Sequence, residues 1–328
     1  YEQSAETYIL NEDYISAEEH IENALFYAEK YKLEYRKAKN LFLRANICNA
    51  KNELVLAQQL YLSANVIFIK RNNFEQIIRT FLNLGKIALS LKAYHSAISY
   101  LKQAEKVYLY NDIGNDSLLG EIYYEMAESY FKIDDTNKSL EYTFLAKQKF
   151  EQVQDRREYG KSLISLSKEY NKKGDIANAI KYSKKSLEVY KELETEKNVS
   201  SIENNLGKLF FEFDNIEEAF KHYNTAKQIR MRSNDKDVVE TMLNICEGYI
   251  KIKEIEKCEK VLEEIRSLID ETNIEQVIEQ NLFWYRAYII KEMQDEAENI
   301  LLETFNLAKA NSLYKKMAEL SILLGRYY

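Results

Sequence analysis

Catalysis or metal binding needs nucleophilic or titratable side chains at convergent spacings, so the cysteines and histidines are the first residues to place. Cys48, Cys246 and Cys258 have neither CxxC nor zinc-site spacing. His20, His95 and His222 stand singly, each on an expected second helix of a pair. The chain holds no GxxxxGKS or GxxxxGKT loop, no GxGxxG, no HExxH and no GxSxG. It is therefore expected to be no enzyme, and to need no cofactor and no metal. The histidines read as exposed surface residues. The cysteines read as small packing hydrophobes, with a Cys246–Cys258 disulfide under oxidation as the alternative. An odd, sparse set of thiols fits a reducing cytoplasm.

What positions side chains in this chain is a repeat. Ala17, Ala57, Ala97, Ser139, Ala179, Ala219, Cys258 and Ala297 form a series of small residues about forty positions apart. Seven residues on, Ala24, Ala64, Ala104, Ala146, Ser186 and Ala226 recur, which is two turns of one helix face. Twelve residues before each member lies another series: Ala5, Ala45, Gly85, Ala127, Ser167, Gly207, Cys246 and, irregularly, Tyr285. Three residues after these come mostly aromatic side chains, among them Tyr8, Tyr130, Tyr170, Phe210 and Tyr249. The pattern predicts a first helix with a small-xx-aromatic face, a turn, and a second helix whose small residues let the two approach closely. Gly174-Asp175 marks a turn within a pair. Arg71-Asn72-Asn73, Asn111 to Asp116, Ser233-Asn234-Asp235 and Thr272-Asn273 mark turns between pairs.

Composition agrees. The chain has no proline among 328 residues, only 8 glycines, and 26 tyrosines, which fits uninterrupted helices joined by short turns with rings packed between them. Mixed-sign Glu and Lys runs such as Lys251 to Glu264 read as solvated helix faces. A net charge of −7 argues against nucleic-acid binding by the chain itself. No stretch approaches a membrane span, and the start carries no secretory pattern. The chain opens at Tyr1 without an initiator Met and reads as a fragment.

This organisation resembles the tetratricopeptide repeat along essentially the whole chain. Phe81, Leu84-Gly85, Ala97, Leu101 and Ala104 match that family's pattern, as do Leu206-Gly207, Phe210, Ala219, Tyr223 and Ala226. The family's Trp and Pro are missing and the period exceeds the usual 34, so longer helices are expected. The resemblance implies an all-α, right-handed superhelical solenoid of antiparallel helix pairs. Residues 1–328 then form one array of eight pairs plus the first helix of a ninth, with Leu324-Gly325 and Tyr328 in that last helix.

The resemblance further implies that first helices line a concave groove. Its register assigns to peptide binding Asn46, Asn49, Arg79, Asn83, Lys86, Tyr124, Glu128, Lys168, Asn171, Asn204, Asn205, Lys208, Asn244 and Glu247, with Glu121, Glu125, Lys161 and Ser165 on the same face. Asparagine amides both donate to and accept from an extended peptide backbone. Lys and Arg would select a carboxylate.

Asn204-Asn205-Leu206-Gly207-Lys208 and Leu82-Asn83-Leu84-Gly85-Lys86 are similar to the inner-helix motif of the Gram-positive peptide-pheromone receptors, the Rap, NprR, PlcR and PrgX group. That resemblance implies a cytoplasmic quorum-sensing regulator that takes a short signalling peptide and acts as a homodimer or higher oligomer. It would touch DNA only through an N-terminal helix-turn-helix domain outside this chain. The alternatives are a scaffold or co-chaperone reading a partner's tail, and a Rap-like accessory to response-regulator dephosphorylation.

Overall fold

The computed structural model describes residues 1–270 and 272–325. These form seventeen helices, and no strand occurs among the described residues. Two compact units, Tyr1–Glu169 and Tyr170–Tyr328, divide the chain. The first unit begins with α1 (Glu2–Leu10), α2 (Tyr14–Lys30), α3 (Glu34–Ala50) and α4 (Leu54–Lys70). It continues through α5 (Phe74–Ser90), α6 (Tyr94–Tyr110), α7 (Asp116–Lys132) and α8 (Thr136–Gln152), and the boundary falls near the end of α9 (Arg156–Lys172). The second unit holds α10 (Ile176–Glu192), α11 (Glu196–Glu212), α12 (Ile216–Arg232), α13 (Val238–Lys251) and α14 (Ile255–Arg266). After these come α15 (Ile274–Ile290), α16 (Gln294–Ala310) and α17 (Tyr314–Leu324). Tyr328 of the expected last helix lies outside the described residues.

The period of forty has a simple origin. Most helices are 17 residues long and are followed by a three-residue turn. The second residue of each such turn is left-handed, as at Lys32, Asn72, Lys92, Asp134 and Asp214. The third donates its N–H five residues back, as Leu33 does to Ala28 (2.7 Å) and Asn215 to Phe210 (2.9 Å). This is the Schellman closure. Its last residue then caps the next helix: Asp13, Asn73, Asp135, Asp175 and Asn215 each accept from a backbone N–H three residues on. Closing one helix and opening the next with the same three residues sets the antiparallel hairpin. The longer connections run 111–115, 233–237 and 267–273, where the polar clusters foretold loops.

The small residues meet as expected. Ala5, Ala17, Ala45, Ala57, Ala97, Ala127, Ser139, Ala179, Ala219, Cys246, Cys258 and Ala297 are all buried. Within a pair they face each other: Ser139 Oγ lies 3.0 Å from the Ala127 carbonyl, and Cys246 Sγ lies 3.9 Å from the Cys258 carbonyl. A Cβ at Gly85 would stand 2.8 Å from Leu101, and one at Gly207 would stand 2.4 Å from the Tyr223 ring. Neither distance is tolerable without the neighbour moving, so these glycines exist for close approach. Within each unit, first helices of successive pairs touch, α1 with α3 and α5 with α7, α11 with α13 and α13 with α15. That contact puts the first helices on the inner side.

The second of the two aromatic partners was not foreseen. In four pairs the ring on the first helix stacks on a ring twelve residues later: Tyr8 on His20, Tyr130 on Tyr142, Tyr170 on Tyr182 and Phe210 on His222, with centroids 5.2 to 5.5 Å apart. The expectation of exposed histidines therefore holds only for His95. His20 and His222 are half-buried in these stacks, because the offset that joins the small slots also joins the aromatic ones.

Candidate functional site

The inner face is built by a repeating diagonal. The residue after the small slot of one first helix reaches the residue two or six places before the small slot of the next. Lys39 pairs with Glu6 at 2.9 Å and with Glu2 at 2.5 Å. Lys86 pairs with Glu121 at 3.1 Å and lies 3.8 Å from Glu125. The Ser165 hydroxyl donates to Glu128 at 3.1 Å and lies 3.5 Å from the Tyr124 hydroxyl. In the second unit Lys208 pairs with Glu240 at 2.6 Å. Off that diagonal, Arg286, which itself follows the Tyr285 slot, grips Glu247 with two nitrogens, one of them at 2.8 Å. One turn of helix places each donor opposite its acceptor, so the diagonal is a property of the register.

Two neutral bridges lie on the same face. The Tyr61 hydroxyl, carried by α4 and buried, donates to Asn46 and accepts from the Asn83 amide at 3.1 Å. Burial holds the Tyr61 phenol far above its ordinary range, with the Asn83 hydrogen bond opposing, so it stays a neutral relay between two amides. In the second unit, the Asn244 amide donates to the Asn204 side-chain oxygen at 3.1 Å.

The charge is unevenly met. Glu121 and Glu125 share one lysine, and Glu128 adds a further negative charge beside Glu125. Burial, followed by the repulsion of Glu128, Glu121 and Glu158 and opposed by Lys86, pushes the Glu125 carboxyl up to about 7. Burial and the Glu128 charge likewise hold the Tyr124 phenol well above its ordinary range. A site with a half-protonated carboxyl near neutrality can exchange a proton for a cation.

Of the residues assigned from sequence, the structure brings Asn46, Asn83, Lys86, Tyr124, Glu128, Asn204, Lys208, Asn244 and Glu247 into these bonds. Asn205 is half-buried beside them, whereas Asn204 is only 5% exposed and buried against Asn244. Asn49 and Lys168 are exposed, Asn171 is half-buried, and Arg79 is held by Glu75 of its own helix at 2.8 Å. None of these four joins the bridges between first helices described above. The cations expected to await a carboxylate, Lys86 and Lys208, already carry one each.

Sequence reasoning missed Tyr61, because it lies on a second helix, and Arg286, because the eighth repeat has Tyr285 where a small residue was sought. Lys208, Glu247 and Arg286 nevertheless keep a 39-residue spacing, which is the signal that would have found it. It also missed three buried polar clusters. Ser139 and Thr143 donate to buried Glu169 at 2.6 and 2.8 Å. Arg230, 3% exposed, donates to Thr241 and to the Asp237 carbonyl. Glu203, also 3% exposed, is bonded to His222 Nδ1 at 2.6 Å and to Lys191 at 3.3 Å. These groups bond to one another inside the helix stack. Among the described residues no group of acidic, histidine and cysteine side chains is arranged to hold a metal ion. Cys48, Cys246 and Cys258 are free and buried.

The comparisons with known proteins follow this geometry. The tetratricopeptide repeat model matches residues 170–232. Kinesin light chain-related protein 2 of Arabidopsis thaliana is 22% identical over 194 residues, 58% of this chain, and the match spans only 29% of that relative. The apo quorum sensor NprR from B. thuringiensis superposes with a TM-score of 0.58 at 13% identity, over 98% of this chain and 96% of its own. Aspartyl phosphate phosphatase F from Bacillus subtilis does so with a TM-score of 0.62 at 16% identity, over 100% and 87%. At these identities the structural likeness is one of fold. By repeat pattern, helix pairing and that likeness together, the chain is a solenoid of the tetratricopeptide-repeat type, sharing its fold with NprR and aspartyl phosphate phosphatase F.

Proposed function

We propose that the chain is the peptide-binding sensor part of a cytoplasmic quorum-sensing regulator, non-catalytic itself, which takes a short signalling peptide along its inner face. Contact with DNA would belong to a helix-turn-helix domain outside the chain, in keeping with the net charge of −7. The protein would act as a homodimer or higher oligomer, and the peptide would favour one oligomeric or superhelical state by binding it more tightly than the other. The observation that carries this reading is the set of half-buried amides on the inner face of each unit, Asn83 in the first and, separately, Asn205 and Asn244 in the second. Each of these amides presents both a donor and an acceptor to a passing backbone. Lys86 and Lys208 are paired and the surplus charge is acidic around Glu121, Glu125 and Glu128, so the preferred peptide carries a basic side chain or free amine there.

Panning a random heptapeptide library on the immobilised chain, then titrating the best synthetic binder by calorimetry, tests this. Asn83→Ala and Asn205→Ala/Asn244→Ala should each weaken that peptide by about tenfold, the cost of one or two hydrogen bonds, with the helical signal unchanged. Unchanged affinity in both variants would remove the inner face from the reading. The end-to-end likeness to aspartyl phosphate phosphatase F favours one second reading, an accessory that speeds loss of phosphate from a response regulator. Faster phosphate release from a phosphorylated receiver domain on adding the chain would establish it in place of the sensor.

A further inference from the structure

The outer face of the first unit carries a different surface. The second helices α2, α4 and α6 run the same way, and their outward positions recur in register. On α2 these are Ile15, Glu19, Glu22, Phe26 and Glu29, and on α4 Val55, Gln59, Leu62, Val66 and Ile69. On α6 they are His95, Ser99, Lys102, Lys106 and Leu109. The α4 row is apolar at four of its five positions and open to solvent: Val55 is 64% exposed, Leu62 41%, Val66 54% and Ile69 51%, with Gln59 the polar member. Lys70 is the one charged residue in the seventeen of α4. A helix apolar on nearly every side is normally enclosed, and this one has no cover. The same positions on α12 are Glu217, Lys221, Asn224, Gln228 and Met231, so the fold does not ask for apolar residues there.

The flanks carry opposite charge. Glu19 and Glu22 on α2, and Lys102 and Lys106 on α6, make no ion pair within 4 Å; Glu18 and Glu29 are engaged by Lys51 and Lys37. From this we infer that a second copy of the chain covers the α4 row, across a two-fold axis running along α4. Such an axis lays α4 parallel to its twin and carries α2 of each copy over α6 of the other at the same height. Glu22 then faces the twin's Lys102 and Phe26 the stem of the twin's Lys106, and each contact occurs twice. An axis perpendicular to α4 would instead set the acidic row against itself. Three helices about 25 Å long, spaced about 10 Å apart, offer roughly 600 Å² or more, near the about 800 Å² per partner of a stable interface. The inference gives a surface to the homo-oligomer of the proposed function and rests on that reading.

Sedimentation velocity of the chain from 1 to 200 µM (the range on the order of micromolar affinities) tests both. The expected result is a reversible dimer that Leu62→Lys/Val66→Glu weakens by at least about 100-fold without change in the far-UV spectrum, since both side chains are exposed. Glu22→Lys and Lys102→Glu should each weaken it by about tenfold, and the two together should return it to within about threefold. A monomer at every concentration overturns the oligomer reading and this surface together. A dimer indifferent to Leu62→Lys/Val66→Glu overturns the surface alone. A dimer that the paired charge reversal fails to restore overturns the parallel arrangement.

Discussion

The inner faces of the two units obey one diagonal and end with different electrostatics. In the second unit Glu240 on the diagonal and Glu247 beside it each have a cation of their own, Lys208 and Arg286. In the first, Glu121 and Glu125 share one lysine with the Glu128 charge beside them, and the Glu125 carboxyl is pushed up to about 7. The helices, turns and spacing are the same in both. What differs is the residue at two or three positions per repeat, so the charge of such a face is free to vary without cost to the fold.

That contrast can be broken most strongly at Lys86. Lys86→Met leaves Glu121 and Glu125 without their shared cation. It should cost about 2 kcal/mol at pH 8 and less at pH 5, where the Glu125 carboxyl holds its proton, as read by urea unfolding at the two pH values. Next comes Glu125→Gln. A carboxyl whose folded pKa is raised from 4.5 to about 7 binds its proton more tightly folded than unfolded. Its contribution is fully present below pH 4.5 and is lost as pH rises through 7. Because the side chain is still 19% exposed, the full shift is discounted to about 2 kcal/mol. Glu125→Gln should recover up to that amount at pH 8 and remove the slope between pH 4.5 and 7; a slope that survives would clear Glu125 of responsibility. The smallest effect is expected in the second unit, where Arg286→Met breaks a pair whose members are 40% and 36% exposed. A loss below about 1 kcal/mol, with no pH dependence between 5 and 8, would sharpen the contrast, and a loss as large as that at Lys86 would erase it.

The architecture was legible because it rests on volume. A slot that, save at Tyr285, holds only Ala, Gly, Ser or Cys leaves its mark at Ala97, Gly85, Ser139 and Cys246, and the turns were marked by Asn and Asp acting as caps. The inner-face residues were legible as a register, since Lys86, Glu128, Lys208 and Glu247 each follow a small slot. Their partners were harder, because a bond such as Tyr61 to Asn46 or Glu203 to His222 joins two helices whose faces must both be known first. His222 was read as a surface residue for want of one step: the twelve-residue offset that pairs Cys246 with Cys258 also pairs Phe210 with His222.

The three-residue turn has a consequence for how this chain tolerates length change. Because the turn inside a pair and the turn between pairs have the same form, the backbone repeats every twenty residues although the side chains repeat every forty. A duplication or deletion of forty residues keeps the reading frame of inside and outside. One of twenty would splice just as smoothly into the backbone and turn every later helix from lining to exterior, so copy number in this array should drift by whole pairs.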